Sequence, residues 1–162
     1  HLVYIGDGNN VAHALAVGGA LSGMRITLLH PPGYGLSEQI LGQARGLAAR
    51  HGGLIQTSSS LDAAEGADVL YTDVWTSMGQ EAEQAGRRVV FQSYQVNRSL
   101  LLRAAPGCIV LHCLPAHRGE EISDEVMDGP QSRVFDQAEN RLHAQKALLA
   151  WMLGGMDLPP GS

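Results

Sequence analysis

Residues 2–10, with the sequence LVYIGDGNN, are four apolar residues followed by a polar turn with two glycines. Short, continuously apolar runs are typical of strands that are buried on both faces of a parallel sheet. The segment that follows, residues 10–21, carries apolar residues at helical spacing and ends before Gly23. A strand, a glycine turn and a helix in this order predict the first unit of a βαβ fold.

The same alternation continues along the chain. Further short apolar runs lie at residues 26–29, 54–55, 69–71 and 109–111. Helical patterns lie at residues 37–50, 97–102 and 136–153. Alternating strands and helices predict right-handed crossovers and a doubly wound parallel sheet with helices on both faces, a Rossmann-like α/β fold. We expect a single domain over residues 1–155 and a frayed tail at 156–162.

The composition limits the class of protein. The chain has 162 residues, of which 44% are hydrophobic, and this fits one globular domain with one core. Lys and Arg number 11 and Asp and Glu 16, and the net charge of −5 argues against a nucleic-acid partner. Because no apolar run reaches the roughly 18 residues of a membrane helix, we expect a soluble protein without a membrane partner.

The two cysteines, Cys108 and Cys113, are predicted to be reduced. They belong to one apolar run, and an offset of five places their side chains on opposite faces of a strand, which disfavours a disulfide between them. Free thiols are typical of a cytoplasmic protein. The pair His112 and Cys113 has no second His or Cys pair at ligand spacing, so the sequence predicts no metal site.

The carboxyl ends of the predicted strands are the place to look for a ligand, because doubly wound sheets bind ligands there. The turn at residues 6–10 is only a weak match to a dinucleotide-binding motif, since Val11 stands where the third glycine belongs. The second strand ends in residues 29–31 without the acidic residue that would hold a ribose. A nicotinamide-dependent oxidoreductase is therefore disfavoured.

Two later strand ends and the last helix carry further candidates. Asp73 is followed by a polar loop that could close over a substrate ammonium, although Asp73 could instead cap a helix. Residues 111–119 gather a thiol, two imidazoles and a guanidinium, which suit an anionic or carbonyl substrate, although each alone is usually structural or solvated. Arg141, near the start of the last helix, opposes the helix dipole, which favours a role in substrate binding over simple capping.

Five motifs together resemble one enzyme family. They are GDGNN at 6–10, TDVWTSMG at 72–79, YQVN at 94–97, HCLP at 112–115 and DQAENR at 136–141. In this order, and over nearly the whole chain, they resemble the ornithine-binding domain of the ornithine carbamoyltransferases. The carbamoyl-phosphate motifs of that family, STRTR and HPxQ, do not occur in the sequence. We therefore expect the chain to be part of a longer enzyme whose carbamoyl-phosphate-binding domain is absent here.

The resemblance implies a reaction. In that family the carbamoyl group of carbamoyl phosphate is transferred to the side-chain amine of L-ornithine, and L-citrulline and phosphate are the products. It further implies arginine biosynthesis, no cofactor, no metal, and a homotrimer for the full-length enzyme. The chain alone is expected to be inactive without the missing domain.

The resemblance also assigns site residues. Seven positions match substrate-binding residues of the family, namely Asn10, Asp73, Ser77, Met78, Cys113, Leu114 and Arg141. Cys113 and Arg141 are the expected catalytic residues, with Cys113 orienting the reacting amine and Arg141 reaching the carbamoyl group. Asp73 is expected to pair with the α-ammonium group, and Ser77 and Met78 to close over ornithine. The Leu114–Pro115 peptide bond is expected to be cis.

Two other functions stay open at this point. One is a carbamoyltransferase for another amine, such as putrescine or an acylated ornithine. The other is a non-catalytic domain that binds an amino acid or mediates assembly. The loop at residues 73–79 favours ornithine, because it suits a free amino-acid head group that neither alternative amine presents.

Overall fold

The computed structural model describes residues 1–76 and 81–154, and within them five strands form one parallel sheet. The strands are β1 (Leu2–Ile5), β2 (Arg25–Leu29), β3 (Leu54–Ser58), β4 (Val69–Thr72) and β5 (Ile109–His112). Their order in the sheet is β3-β2-β1-β4-β5, and every neighbouring pair is parallel. The predicted doubly wound sheet is confirmed, and its strand order reverses between β1 and β4, where such sheets open a ligand crevice.

Helices cover both faces of the sheet. They are α1 (Asn10–Leu21), α2 (Glu38–His51), α3 (Gln84–Phe91), α4 (Arg98–Leu101), α5 (Asp124–Met127) and α6 (Val134–Gly154). Short 3₁₀ turns lie at Leu61–Ala64, Glu81–Glu83 and Gln92–Tyr94. None of these helices, within residues 1–76 and 81–154, is long and apolar enough to cross a membrane.

The alternation of side chains along β1 divides the core into two layers. Tyr4 faces α1 and α2, where small residues such as Ala16 and Ala44 let the helices approach closely. Val3 and Ile5 face the opposite layer, which is built mainly from the chain after β3. Both faces of the central strands are thus buried, as the continuous apolar runs predict.

Side-chain caps set the helix starts. The Asn9, Ser37 and Asn97 side chains accept N–H groups at the starts of α1, α2 and α4, and Gly52 ends α2 with a left-handed φ of 73°. The last helix begins at Val134, before the predicted start. Arg141 therefore lies beyond the first helical turn, and the expectation that it opposes the helix dipole there was wrong. The tail predicted to fray, 156–162, lies outside the described residues.

Candidate active site

Strand register brings three loops to one point. Ile5 is paired with Thr72, and Thr72 is paired with His112, so β1, β4 and β5 end side by side. The residues that follow are the glycine turn after β1, Asp73 after β4 and Cys113 after β5. These are the three strand ends at which the sequence carries polar clusters, and the sheet places them at its switch point.

Asp73 lies at the centre of this site and is 6% exposed. Its Oδ1 atom accepts hydrogen bonds from the Cys113 thiol at 2.9 Å and from the backbone N–H of Val74 at 2.8 Å. Its Oδ2 atom accepts one from the Asn9 side-chain amide at 2.8 Å. A carboxylate offers about four acceptor positions. Three are filled, and among the described residues Asp73 has no ion-pair partner, so one position and the negative charge are available to a ligand.

Cys113 is held as a protonated thiol. Burial and the hydrogen bond to the Asp73 carboxylate raise its pKa to about 12. The thiolate is the nucleophilic form of cysteine, and at neutral pH it is almost absent here. The structure therefore favours the thiol form of Cys113, which can orient a reacting amine without covalent attack.

A buried pair fixes the turn that follows Cys113. The Nδ1 atom of His112 accepts the backbone N–H of Leu114 at 2.8 Å, so the ring carries its hydrogen on Nε2. That Nε2–H donates to Glu121 Oε1 at 3.0 Å, and both side chains are fully buried. Leu114 has a φ of 58°, which is uncommon for a residue with a side chain, and the Leu114–Pro115 bond is cis as expected. His112 and Glu121 are positioning residues for this turn.

A glutamine joins the last helix to the same site. Gln137 accepts the backbone N–H of His112 at 3.1 Å and donates to the Tyr71 hydroxyl at 2.9 Å. Burial raises the pKa of Tyr71 to about 12, so its hydroxyl stays protonated at neutral pH. Because Gln137 ties α6 to β4 and β5, it fixes the position of Arg141 one turn later.

Two cavities meet at the turn that follows Cys113. One, of about 520 Å³, is lined in part by Asn10, Asp73, Cys113 and Leu114. The other, of about 730 Å³, is lined in part by Cys113, Leu114 and Arg141. Of the seven predicted site residues, the structure thus brings five together around two adjoining cavities that share Cys113 and Leu114. Ser77 and Met78 lie outside the described residues.

The loop after β4 is fastened by a buried arginine. Arg87 of α3 donates to the Asp7 carboxylate at 2.8 Å and to the backbone carbonyl of Trp75 at 2.9 Å, and its side chain is 8% exposed. Its guanidinium also lies 5.2 Å from the centre of the Tyr34 ring. Arg87 therefore joins the loops after β1, β2 and β4.

The sequence marks one of the residues that position the site and not the other two. Asn9 follows the first apolar run, where an asparagine can cap a helix or contact a ligand, and in the structure it caps α1 and donates to Asp73. No sequence signal marks Arg87, since an arginine in a helix is usually exposed. Glu121 carries no signal either, because nothing in the sequence shows that it packs against His112.

Within the part of the chain that the structure describes, the polar side chains at the site are not arranged as a metal centre. Asp73, His112 and Cys113 place their ligand atoms within 4.8 Å of one another. However, both ring nitrogens of His112 are engaged, one by Leu114 and the other by Glu121. With no free lone pair on the imidazole, this group is a hydrogen-bond network.

Comparisons with known proteins agree with this geometry. The family model described as "Aspartate/ornithine carbamoyltransferase, Asp/Orn binding domain" matches residues 1–152. An ornithine carbamoyltransferase of Parafrankia sp. is 56% identical over 94% of this chain and 48% of its own length.

Solved structures extend the comparison. An ornithine carbamoyltransferase from Pyrococcus furiosus has a TM-score of 0.90 and 50% identity, covering 96% of this chain and 50% of its own. An N-acetyl-L-ornithine transcarbamylase has a TM-score of 0.81 and 32% identity, covering 94% of this chain and 49% of its own. The chain spans about half the length of these relatives. It belongs to the aspartate/ornithine carbamoyltransferase family and contains the Asp/Orn binding domain of that family.

Proposed function

We propose that this chain forms the ornithine-binding half of an ornithine carbamoyltransferase, with the domain at residues 1–155. The observation that carries the proposal is the pair of cavities that share Cys113 and Leu114. One cavity contains the carboxylate of Asp73, which suits an ammonium group, and the other contains the guanidinium of Arg141, which suits a carbonyl or phosphate oxygen. Two substrates of opposite charge would therefore meet at the shared turn.

The charge of Asp73 indicates where the amino-acid substrate would bind. A buried carboxylate without a cation is costly, and the α-ammonium group of ornithine would supply that cation to Asp73. The side-chain amine must be neutral to attack, and the Leu114 carbonyl and the sulfur of Cys113 are acceptors that can orient its N–H groups. Asn10 lines the same cavity. We assign Ser77 and Met78, by resemblance, to the amino-acid end of ornithine.

The transfer step then follows from these positions. The amine nitrogen forms a bond to the carbamoyl carbon, and the bond from that carbon to the phosphate oxygen breaks. Phosphate leaves with the electron pair and takes up the proton that the amine loses. Arg141 donates to the carbamoyl oxygen, where negative charge grows. One such donor typically contributes about 10²–10³ in rate.

The remaining half of the site would come from a carbamoyl-phosphate-binding domain. The α6 helix supports this proposal, since Phe135 and Leu142 are more than half exposed and line the cavity together with Arg141. Further along the helix Leu148 and Leu149 are also more than half exposed, and exposed apolar side chains are typical of a surface that a partner domain covers. We further propose, from the family alone, that the full-length enzyme is a homotrimer of the cytoplasm that serves arginine biosynthesis.

Calorimetric titration tests the assignment of ornithine. We expect L-ornithine to bind more tightly than putrescine, which lacks the amino-acid head group, and than N-acetyl-L-ornithine, which lacks the α-charge. Asp73→Asn should weaken ornithine binding by about 10–100-fold, the value of one hydrogen bond to a charged group, and remove the preference over N-acetyl-L-ornithine. Asp62→Asn, which changes an exposed carboxylate paired with Arg103, is the matched control.

The outcome separates the alternatives. Unchanged ornithine affinity in Asp73→Asn would overturn the role of this carboxylate. Equal affinity of the parent chain for ornithine and for N-acetyl-L-ornithine would favour a carbamoyltransferase for another amine. Citrulline formation on addition of a carbamoyl-phosphate-binding domain would exclude a purely non-catalytic domain. Turnover by this chain alone would contradict the half-site proposal.

A further inference from the structure

A second group of ligand-type side chains lies just beyond the turn that carries Leu114. It consists of His117, Glu120 and Glu121, whose ligand atoms all lie within 4.8 Å of one another. The His117 side chain is half exposed, that of Glu120 is 18% exposed, and that of Glu121 is fully buried. His117 and Glu120 also line the cavity that contains Asp73, but the proposed transfer reaction uses none of the three residues as a substrate contact.

The two carboxylate oxygens of Glu121 differ in their hydrogen bonding. Oε1 accepts the Nε2–H of His112 at 3.0 Å and the backbone N–H of His117 at 2.5 Å. Oε2 is inaccessible to solvent and, among the described residues, has no hydrogen-bond partner. Buried carboxylate oxygens are nearly always satisfied, so this atom points to a missing ligand.

The distance between Oε2 and His117 indicates what that ligand is. Oε2 lies 3.7 Å from the Nδ1 atom of His117. This is too long for a hydrogen bond, which spans about 2.7–3.2 Å. Two ligands of a tetrahedral zinc ion, each about 2.0–2.1 Å from the metal, are separated by about 3.4 Å. The gap therefore fits an ion between the two atoms better than it fits direct contact.

We propose that His117, Glu120 and Glu121 bind a divalent transition-metal ion such as Zn²⁺. One imidazole with two carboxylates is a donor set suited to this ion, and the exposed side of the cluster leaves a coordination position for water. Glu120 also lies 3.5 Å from the Nε atom of Arg88, a long ion pair that the metal would replace. The ion would tie the exposed His117 to the buried carboxylate that holds His112.

Titration of the metal-free chain with Zn²⁺ tests the site. We expect one equivalent to bind, and His117→Ala and Glu120→Gln each to weaken binding by more than about tenfold. The matched control is His143→Ala, because His143 lies 3.3 Å from Glu139 in an exposed pair that has no buried oxygen beside it. Circular dichroism would verify the fold of each variant.

Co²⁺ provides a second readout that distinguishes this cluster from the thiol site. At the proposed site the cobalt complex has nitrogen and oxygen ligands, so it should show no thiolate-to-cobalt absorption, and Cys113→Ser should bind the ion as the parent chain does. Absence of binding, full affinity in a folded His117→Ala chain, or loss of binding in Cys113→Ser would each overturn the proposal.

Discussion

Replacement of Asn9 tests the link between the first helix and the candidate site. Its Oδ1 atom accepts the N–H groups of Val11 and Ala12 at 2.9 and 3.1 Å, while its Nδ2 group donates to Asp73 at 2.8 Å. Loss of an asparagine cap costs about 1 kcal/mol. Loss of a hydrogen bond to a charged group costs about 1.5–3 kcal/mol. We therefore expect Asn9→Ala to lower the free energy of unfolding by about 2.5–4 kcal/mol.

A second substitution separates the two contributions. Serine caps helices as well as asparagine does, but its shorter side chain does not reach Asp73 while it caps α1. Asn9→Ser should therefore lose only the bond to Asp73, about 1.5–3 kcal/mol. Asn97 caps α4 through the N–H of Leu100 at 3.1 Å and is the matched control, since Asn97→Ala should cost only about 1 kcal/mol.

Urea unfolding followed by circular dichroism measures these differences, with the slope of the transition compared among variants. Ornithine titration adds an independent readout, because Asn9→Ser frees the Asp73 carboxylate to turn and should weaken binding, whereas Asn97→Ala should not. If Asn9→Ala costs no more than Asn97→Ala, or if Asn9→Ser is as stable as the parent chain, the bond from Asn9 to Asp73 contributes nothing to stability.

Three further predictions concern Cys113 and Arg87. Burial and Asp73 raise the pKa of Cys113 to about 12, so alkylation of this thiol by iodoacetamide should be slow at pH 8 and should accelerate toward pH 12. Asp73→Asn should speed the alkylation, and equal alkylation rates in the parent chain and in Asp73→Asn, measured by mass spectrometry, would contradict this. The pKa of Cys113 in the folded state lies above the ordinary value of 9.0, so the contribution of its thiol to the free energy of unfolding is present below pH 9.0 and is lost as the pH rises toward 12. Cys113→Ser should reduce this loss of stability at high pH. Arg87→Met leaves the Asp7 carboxylate without its buried partner and should cost about 3–5 kcal/mol in urea unfolding. Arg103→Ala, which removes an exposed ion pair, should cost less than about 1 kcal/mol, and equal losses in the two variants would refute the buried role of Arg87.

Local signals accounted for most of the fold. All five strands occur where short apolar runs predict them, and α1 and α2 have the predicted starts, because caps and glycines act on the chain within a few residues. The start of α6 was misplaced, since Val134 is buried against the core and helix formation extends to it. Tertiary packing outweighed the local pattern at that end.

The candidate site was predictable in its parts but not in its assembly. The polar residues after β1, β4 and β5 could be located because parallel strands end at one edge of a sheet. The sequence could not show that Asn9 and Cys113 both donate to Asp73, because those contacts depend on the pairing of strands far apart in the chain. The buried positions of Arg87 and Glu121 were hidden for the same reason.

Local sequence specified the strand and helix pattern, the parallel sheet and the identity of the residues at its carboxyl edge, because hydrophobic periodicity and turn chemistry are local. Only the folded arrangement sets the protonated state of Cys113, the three hydrogen bonds that Asp73 accepts, and the division of the site into two cavities at Leu114. Those properties arise from burial and from distances between atoms on different strands, and neither quantity exists until the sheet has formed.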